Sequence, residues 1–227
     1  MFTLDDIDVY ILNWKKVNAN SLRLYQSIQP IVNHTCIVNC DENWHLDASI
    51  NHIQLDDSCY YGAQFQTAIQ HARENAILCV IVGDNLPEND FAKLFASALD
   101  AFGKGKIGVY APSDKRSLHQ HVVKQYTGSL YHVKNTDCGF WFIHPAIHSK
   151  MKRLDYTISK YGWGIDMVII KEAKRLDLLV VCDRSVETDQ LDHTCGYNMV
   201  DACKEGTALL RAYAIRTKSR VMPFFRR

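Results

Sequence analysis

The chain has 227 residues, of which 47% are hydrophobic and 22% charged, and its 26 basic and 25 acidic residues nearly balance. This composition is typical of a folded globular protein, and the net charge of +1 gives no sign of a polyanionic partner. No apolar run approaches the roughly 18 to 20 residues that cross a bilayer, and the acidic first residues do not resemble a signal peptide. Eight cysteines without a Cys-x-x-Cys pair, several of them inside apolar runs, indicate reduced thiols and a cytoplasmic location.

The first hundred residues alternate between strand-like and helix-like segments. The apolar patterns predict strands at 8–12, 35–39, 53–55 (weakly) and 77–82, and helices at 18–29, 62–75 and 88–101. Because parallel strands are joined by crossover helices, this alternation predicts a mostly parallel sheet with helices on both faces.

The run from Ile77 to Val82 is followed by Gly83, Asp84 and Asn85. This pattern predicts a buried strand that presents a carboxylate at its C-terminal end, where open α/β sheets bind ligands. The alternative is that Asp84 caps a helix beginning near Pro87. The glycine-rich dinucleotide and P-loop fingerprints are absent, so a nucleotide's phosphates would need another holder, and a metal ion is the obvious candidate.

The second half has a different order of segments. Strands are predicted at 107–110, within 122–133, at 140–143 and at 178–182, and helices at 146–154, after 162–166 to about 176, and at 198–215. Asp166 and His193 stand in polar contexts that contain glycine. Asp84 and His193 could coordinate a divalent cation bound to a diphosphate, and Asp166, near the start of a helix, could act as a general base. Helix capping by Asp166 and a surface position for His193 are the alternatives.

The succession of these motifs from Asp8 to about Tyr197 resembles that of compact GT-A-type nucleotide-sugar glycosyltransferases of the broad family-2 sort. The resemblance implies a single α/β domain, GT-A-like and Rossmann-like, over residues 1–215. Within it, about 8–101 would bind the nucleotide and about 102–197 the acceptor. A C-terminal helix would complete the domain, and residues 216–227 would form a basic tail after it.

The resemblance also implies roles for individual residues. Asp84 and His193 would hold Mn²⁺ or Mg²⁺ against the diphosphate, and Asp166 would be the catalytic base of an inverting enzyme. The family's Asp-x-Asp motif is reduced here, because Val82-Gly83-Asp84 contains one acid and Asn85 occupies the next position. The implied donor contacts are Asn13, Asp41, Gly62, Gln66, Asp84 and Asn85, and the implied acceptor contacts are Trp141, Gly162, Trp163 and Gly164.

The acceptor stays open at this stage. Residues 207–227 carry basic residues without an acid, which favours a polyanion such as a nucleic acid. The resemblance extends to bacteriophage enzymes that add sugars to hydroxymethylated bases in DNA, which implies such DNA as one acceptor. Bacteriophage enzymes of this kind would act in the host cytoplasm. A glycan or lipid-linked glycan at an anionic membrane surface, and a merely solvated tail, are the alternatives. The tail residues expected to contact DNA are Arg216, Lys218, Arg220, Arg226 and Arg227.

Two other functions compete with sugar transfer. A nucleotidyltransferase should carry a glycine-rich basic loop after the first strand, where this chain has Asn13-Trp14-Lys15-Lys16. A non-catalytic module that binds a nucleotide or sugar is the other alternative. The sequence predicts neither the donor sugar nor an oligomeric state.

Overall fold

The computed structural model of the protein describes residues 2–86, 90–115, 121–191 and 196–212. The described part contains one nine-stranded sheet and six α-helices. The strands are β1 (Ile7–Asn13), β2 (Thr35–Asn39), β3 (His52–Gln54), β4 (Ile77–Val82), β5 (Ile107–Asp114), β6 (Val122–Thr127), β7 (Leu130–Val133), β8 (Phe140–Ile143) and β9 (Leu179–Thr188). The helices are α1 (Asn18–Ile28), α2 (Tyr61–His71), α3 (Phe91–Gly103), α4 (Pro145–Met151), α5 (Ile165–Arg175) and α6 (Met199–Ala212).

The strands follow the order β3-β2-β1-β4-β8-β5-β9-β7-β6 across the sheet. β1 to β4 pair in parallel, as do β5 and β9. β8 lies antiparallel between β4 and β5, so it begins at the edge where its two neighbours end. The predicted α/β class with a mixed sheet is confirmed, and four of the eight strand pairings are parallel.

Helices cover both faces of the sheet, as predicted. Along β4, Leu78 and Val80 point into a core layer shared with α2, α4, α5 and α6. Ile77, Cys79 and Ile81 point into the opposite layer, which is shared with α1 and α3. Both faces of the strand are therefore buried, which explains why all of its side chains are apolar.

The helix that follows β4 begins at Phe91, and Asp90 caps it by accepting a hydrogen bond from the Lys93 N–H at 3.0 Å. Asp84 is therefore not the cap of this helix, and the capping alternative for that residue is wrong. The polar residues Asp84 and Asn85 at the end of β4 therefore have another role.

The aromatic run of β8 lies in the core. Trp141 is completely buried and its ring packs 5.8 Å from that of Phe65, between centroids. A side chain enclosed in this way cannot touch an acceptor in this conformation. The acceptor contact predicted for Trp141 is therefore corrected to a packing role.

The described cysteines, seven in all, form no disulfide bonds. Burial raises the pKa of Cys36 and of Cys40 to about 12, which keeps both as thiols at neutral pH. This agrees with the predicted structural role of the cysteines. A search of the described residues finds no helix with the length and apolar character needed to cross a bilayer.

Candidate active site

The C-terminal ends of β1 and β2 carry a buried network of amides around Asn13. The Asn13 Nδ2 donates to the Oδ1 atoms of Asn18 at 2.8 Å and Asn39 at 2.7 Å. The Asn18 Nδ2 donates in turn to the Asp41 Oδ2 at 2.7 Å. The buried Asn13 Oδ1 has no hydrogen-bond partner among the described residues. Asn13 and Asp41, both predicted to contact the donor, thus belong to one network at the expected sheet edge.

The backbone fixes Asp41 further. Its N–H donates to the Asn39 Oδ1 at 3.0 Å, and its Oδ1 accepts from the Asn43 N–H at 3.1 Å. Only 3% of Asp41 is exposed. The carboxylate is preorganised by these partners before any ligand arrives.

A glycine is required at position 83 because the loop after β4 lies against the end of β1. The Gly83 N–H donates to the Leu12 carbonyl at 2.8 Å. A Cβ on Gly83 would lie 2.8 Å from that carbonyl oxygen and 2.3 Å from the Ser21 Oγ. From α1, the Asn20 Nδ2 donates to the carbonyls of Gly83 at 2.8 Å and Asn85 at 2.5 Å. Sequence reasoning missed Asn20, which holds the loop from the other side.

Asp84 and Asn85 are nearly enclosed, with 6% and 0% of their surface exposed. The Leu191 N–H donates to the Asp84 carbonyl at 2.8 Å, and the Leu86 N–H donates to the Asp189 carbonyl at 3.0 Å. Residues 189–191 therefore run across the 84–86 loop.

The two polar atoms of the Asn85 side-chain amide differ in their hydrogen bonding. Its Nδ2 donates to the carbonyls of Val82 and Gly139, each at 3.1 Å, which ties the loop to the start of β8. Its buried Oδ1 has no hydrogen-bond partner among the described residues. That oxygen can accept a hydrogen bond from a ligand or coordinate a cation.

The oxygen atoms of Asp84 and Asn85 suit Mn²⁺ or Mg²⁺, which prefer carboxylate and carbonyl ligands. The described residues contain no group of three His, Cys, Asp or Glu side chains that could hold a metal by themselves. His193, the predicted third ligand, lies outside the described residues, two positions after Leu191. The tail residues predicted to contact DNA also lie outside them.

Two glycines bring the start of α2 against the loop before α5. A Cβ on Gly62 would lie 2.2 Å from the Ser159 carbonyl oxygen, and the Gly62 N–H donates to the Lys160 carbonyl at 3.0 Å. A Cβ on Gly162, whose φ is +81°, would lie 2.2 Å from the Tyr61 Cδ1. Close packing between the two segments accounts for both glycines.

Gln64, and not the predicted Gln66, is the glutamine of α2 that lies at the strand ends. The Gln66 Oε1 accepts from the Tyr156 N–H at 2.8 Å, so Gln66 is turned toward the loop and away from the predicted donor site. Gln64 is the buried one, and its Nε2 donates to the carbonyl of Asn13 at 2.6 Å and that of Val38 at 3.2 Å. The donor contact predicted for Gln66 is corrected, because Gln64 is the residue that reaches the strand ends.

Tyr61 joins the β8 end of the site to α5. Its hydroxyl donates to the Cys138 carbonyl at 2.8 Å. Burial raises the pKa of Tyr61 well above its usual 10, and nearby negative charges, including those of Asp137 and Asp166, raise it further. Burial, followed by the same two carboxylates, raises the pKa of the Cys138 thiol. Tyr61 therefore stays a donor at neutral pH, and Cys138 is no thiolate nucleophile.

Asp166 lies in the first turn of α5, directly after the Gly162-Trp163-Gly164 turn. Gly164 has a φ of +86°, in the left-handed region that favours glycine. Trp163 packs on α6 so closely that a Cβ on Gly206 would lie 2.9 Å from the Trp163 Cβ. Gly206 was missed because its partner is distant in sequence.

No protein-family profile matches the chain, and no curated protein does. Solved structures do match. GalNAc-T7, crystallised with UDP, GalNAc and Mn²⁺, superposes with a TM-score of 0.68 at 9% identity, covering 96% of this chain and 52% of its own. The fold is GT-A-like. The chain thus spans about half the length of GalNAc-T7.

Two nucleotidyltransferases share the fold more distantly. A putative glucose-1-phosphate thymidylyltransferase from Bacillus anthracis has a TM-score of 0.50 at 11% identity, covering 89% of this chain and 95% of its own. The inositol-1-phosphate CTP transferase from T. maritima has a TM-score of 0.50 at 12% identity, covering 92% of this chain and 97% of its own. At these sequence identities the comparisons establish the GT-A-like fold. The activity has to be inferred from the residues of the candidate site.

Proposed function

We propose that the protein transfers a sugar from a nucleotide-diphosphate donor to a hydroxyl group of an acceptor. The observation that carries the proposal is the meeting of three segments that are distant in sequence. The 83–85 loop is hydrogen-bonded to the start of β8 through Gly139, and Tyr61 connects the start of β8 to residues 162–166. A strand-end carboxylate and a helix-start carboxylate thereby flank one sheet edge, on a fold that GalNAc-T7 shares.

The donor half of the proposal rests on the strand ends. Asn13 and Asp41 would contact the nucleoside, and Asp84, with Asn85 and His193, would hold Mn²⁺ or Mg²⁺. The bound cation would neutralise charge that develops on the leaving diphosphate. Preorganised polar groups suit this task because they need no rearrangement as the charge develops.

The chemical step assigned to Asp166 is proton abstraction. Its carboxylate accepts the proton of the acceptor hydroxyl, whose oxygen forms a bond to the anomeric carbon of the donor sugar. The bond from that carbon to the diphosphate oxygen breaks on the opposite face, and its electron pair leaves with the nucleoside diphosphate. The product has inverted configuration, and general-base catalysis of this kind contributes typically about 10²- to 10⁴-fold.

A nucleotidyltransferase is the second candidate, since two such proteins align with the chain over nearly their whole lengths. The turn between β1 and α1 argues against it. That turn is a short 3₁₀ segment, Lys15–Val17, and contains no glycine to wrap a triphosphate.

One assay separates the candidates. Nucleotide sugars, and in parallel nucleoside triphosphates with sugar 1-phosphates, are incubated with and without Mn²⁺. Sugar transfer or hydrolysis releases a nucleoside diphosphate, whereas nucleotidyl transfer releases pyrophosphate. We expect the diphosphate, and pyrophosphate release alone would refute the proposal.

The matched variants are Asp166→Asn and Asp201→Asn, because Asp201 is an exposed acid in the first turn of α6. We expect Asp166→Asn to lower transfer by at least about 100-fold. Asp201→Asn should keep the wild-type rate. A folded Asp166→Asn protein with the wild-type transfer rate would eliminate the base assignment.

A further inference from the structure

Four aromatic side chains meet at the surface of the segment that precedes α5. This aromatic surface consists of Tyr60, Tyr161, Trp163 and Tyr197. The Tyr161 ring stacks on that of Tyr197 with centroids 4.8 Å apart and meets the Tyr60 ring edge-on at 5.3 Å. The Trp163 Nε1 donates to the Tyr197 hydroxyl at 3.1 Å. Residues from three separate parts of the chain therefore build one continuous aromatic surface.

The rings are open to solvent. Tyr60 is 43% exposed and Tyr197 36% exposed, while Tyr161 and Trp163 are half-buried. Aromatic side chains stabilise a fold most when they are enclosed, so a group of four that is exposed at two members and half-buried at the other two is typical of a surface that a ligand covers.

The aromatic surface adjoins the proposed catalytic groups. Tyr60 immediately precedes Tyr61, and Trp163 lies three positions before Asp166. Gly162, between the two ring-bearing residues of the loop, lies against the Tyr61 ring. A ligand covering the rings would thus lie against the 161–163 segment, which leads directly into the helix that carries Asp166.

The charges beside the rings indicate the class of ligand. Among the described residues, Lys160 places its Nζ 4.3 Å above the Tyr60 ring. Glu205 accepts from the Tyr161 N–H at 3.3 Å, and Asp166 adds a second carboxylate. Nucleic-acid surfaces need several lysines or arginines to neutralise phosphates. This balance favours an uncharged ligand.

We propose that the aromatic surface binds the terminal sugar ring of a neutral glycan, which makes a glycan the acceptor; the inference rests on the proposed sugar transfer. A pyranose ring has an apolar C–H face that can lie on an aromatic ring and hydroxyls at its rim. Tyrosine and tryptophan offer the matching apolar face with a polar tip. The nearby carboxylate of Glu205 can accept from sugar hydroxyls.

The test uses the full chain and an array of neutral oligosaccharides that end in glucose, galactose, mannose, N-acetylglucosamine or N-acetylgalactosamine. A 12-nucleotide single strand containing 5-hydroxymethylcytosine is the competing probe. The variants are Tyr60→Ala, Tyr60→Phe, Tyr161→Ala and, as a control on β6, Tyr126→Ala. Melting temperatures verify folding, and release of nucleoside diphosphate from the donor is followed separately.

We expect wild-type protein to bind at least one glycan. Tyr60→Ala and Tyr161→Ala should raise its Kd about tenfold each, which corresponds to about 1.4 kcal/mol. Tyr60→Phe and Tyr126→Ala should leave the Kd within twofold. The Tyr60→Phe variant retains the aromatic ring. Wild-type affinity in this variant would therefore show that glycan binding depends on the ring and not on the hydroxyl.

Three results would overturn the inference. They are binding of the oligonucleotide in place of glycans, glycan binding that is equal in all variants, and no glycan binding by a protein that still releases nucleoside diphosphate from its donor. The last result leaves sugar transfer intact and removes only the glycan acceptor. Absence of donor turnover in every assay would instead refute the proposed function.

Discussion

The amide nitrogen of Asn20 donates to the carbonyl oxygens of both Gly83 and Asn85, at 2.8 and 2.5 Å. The Arg23 Nη2 donates to the Asn20 Oδ1 at 3.1 Å, which orients the amide. One side chain at the start of α1 therefore fixes the backbone on both sides of Asp84.

Replacing Asn20 by alanine leaves both carbonyls without this donor in a buried region. We expect Asn20→Ala to lower the free energy of unfolding by about 1 to 3 kcal/mol and to weaken donor binding. Urea denaturation and donor titration measure the two effects. Asn33→Ala is the control, since the hydrogen bond from Asn33 to Asp5 is exposed to solvent, and its effect should stay within about 0.5 kcal/mol. Equal effects of the two variants would contradict the role of Asn20.

Gly206 determines how closely Trp163 approaches α6. An added methyl would lie 2.9 Å from both the Trp163 Cβ and its carbonyl oxygen. We expect Gly206→Ala to cost about 1 to 3 kcal/mol through overpacking and to lower the rate of transfer. Gly103→Ala, in open space at the end of α3, should be neutral or slightly stabilising. Thermal melts that rank the two variants the other way would disprove this packing.

The proposed metal site predicts a specific effect of Asp84→Asn, which keeps the shape of the side chain and removes its charge. In the presence of UDP, Mn²⁺ affinity measured by calorimetry should fall at least about tenfold. A charged carboxylate binds a divalent cation more strongly than the neutral amide that replaces it. Asp100→Asn, on the exposed face of α3, should bind Mn²⁺ as the wild type does. Transfer that persists at full rate in excess chelator would remove the cation from the mechanism.

His148 predicts how stability responds to acid. It is fully buried, its Nε2 donates to the Ala76 carbonyl at 2.7 Å, and its Nδ1 has no hydrogen-bond partner among the described residues. Burial lowers the pKa of His148 below 6.5, so below that pH the unfolded chain binds a proton that the folded one refuses. This contribution to stability is complete above pH 6.5 and declines as the pH falls from 6.5 to the lowered pKa of the folded state.

Urea titrations between pH 7.5 and 5 measure the effect. The free energy of unfolding should decrease by up to about 1.4 kcal/mol per pH unit as His148 titrates. His148→Gln should flatten this decline even if it lowers stability at pH 7.5. His71→Gln, at an exposed site on α2, should keep the wild-type slope. Wild-type slopes in both variants would assign the acid sensitivity to other groups.

Local patterns predicted most of the elements. The strand at 35–39 has the predicted bounds, and the apolar run 77–82 is β4, because side-chain alternation and turn residues act over a few positions. The strand at 178–182 was predicted too short. Residues up to Thr188 extend it because they pair with the far end of β5.

Contacts between distant segments could not be predicted in the same way. Nothing near Phe140 in the sequence shows that β8 runs antiparallel between β4 and β5. Helical periodicity places Gln64 and Gln66 on different faces of α2 without indicating which face meets the strand ends. The pairing of Gly206 with Trp163 is likewise visible only in the folded chain.

Backbone hydrogen bonds join residues 84–86 to residues 189–191, and only 6% of Asp84 is exposed. If Asp84 binds a diphosphate as proposed, the ligand would reach the carboxylate only while residues 189–191 are displaced from the 84–86 loop. The apparent affinity for donor is then the intrinsic affinity multiplied by the fraction of time for which they are displaced. Substitutions that loosen residues 189–191 would tighten donor binding without adding a single contact to the donor.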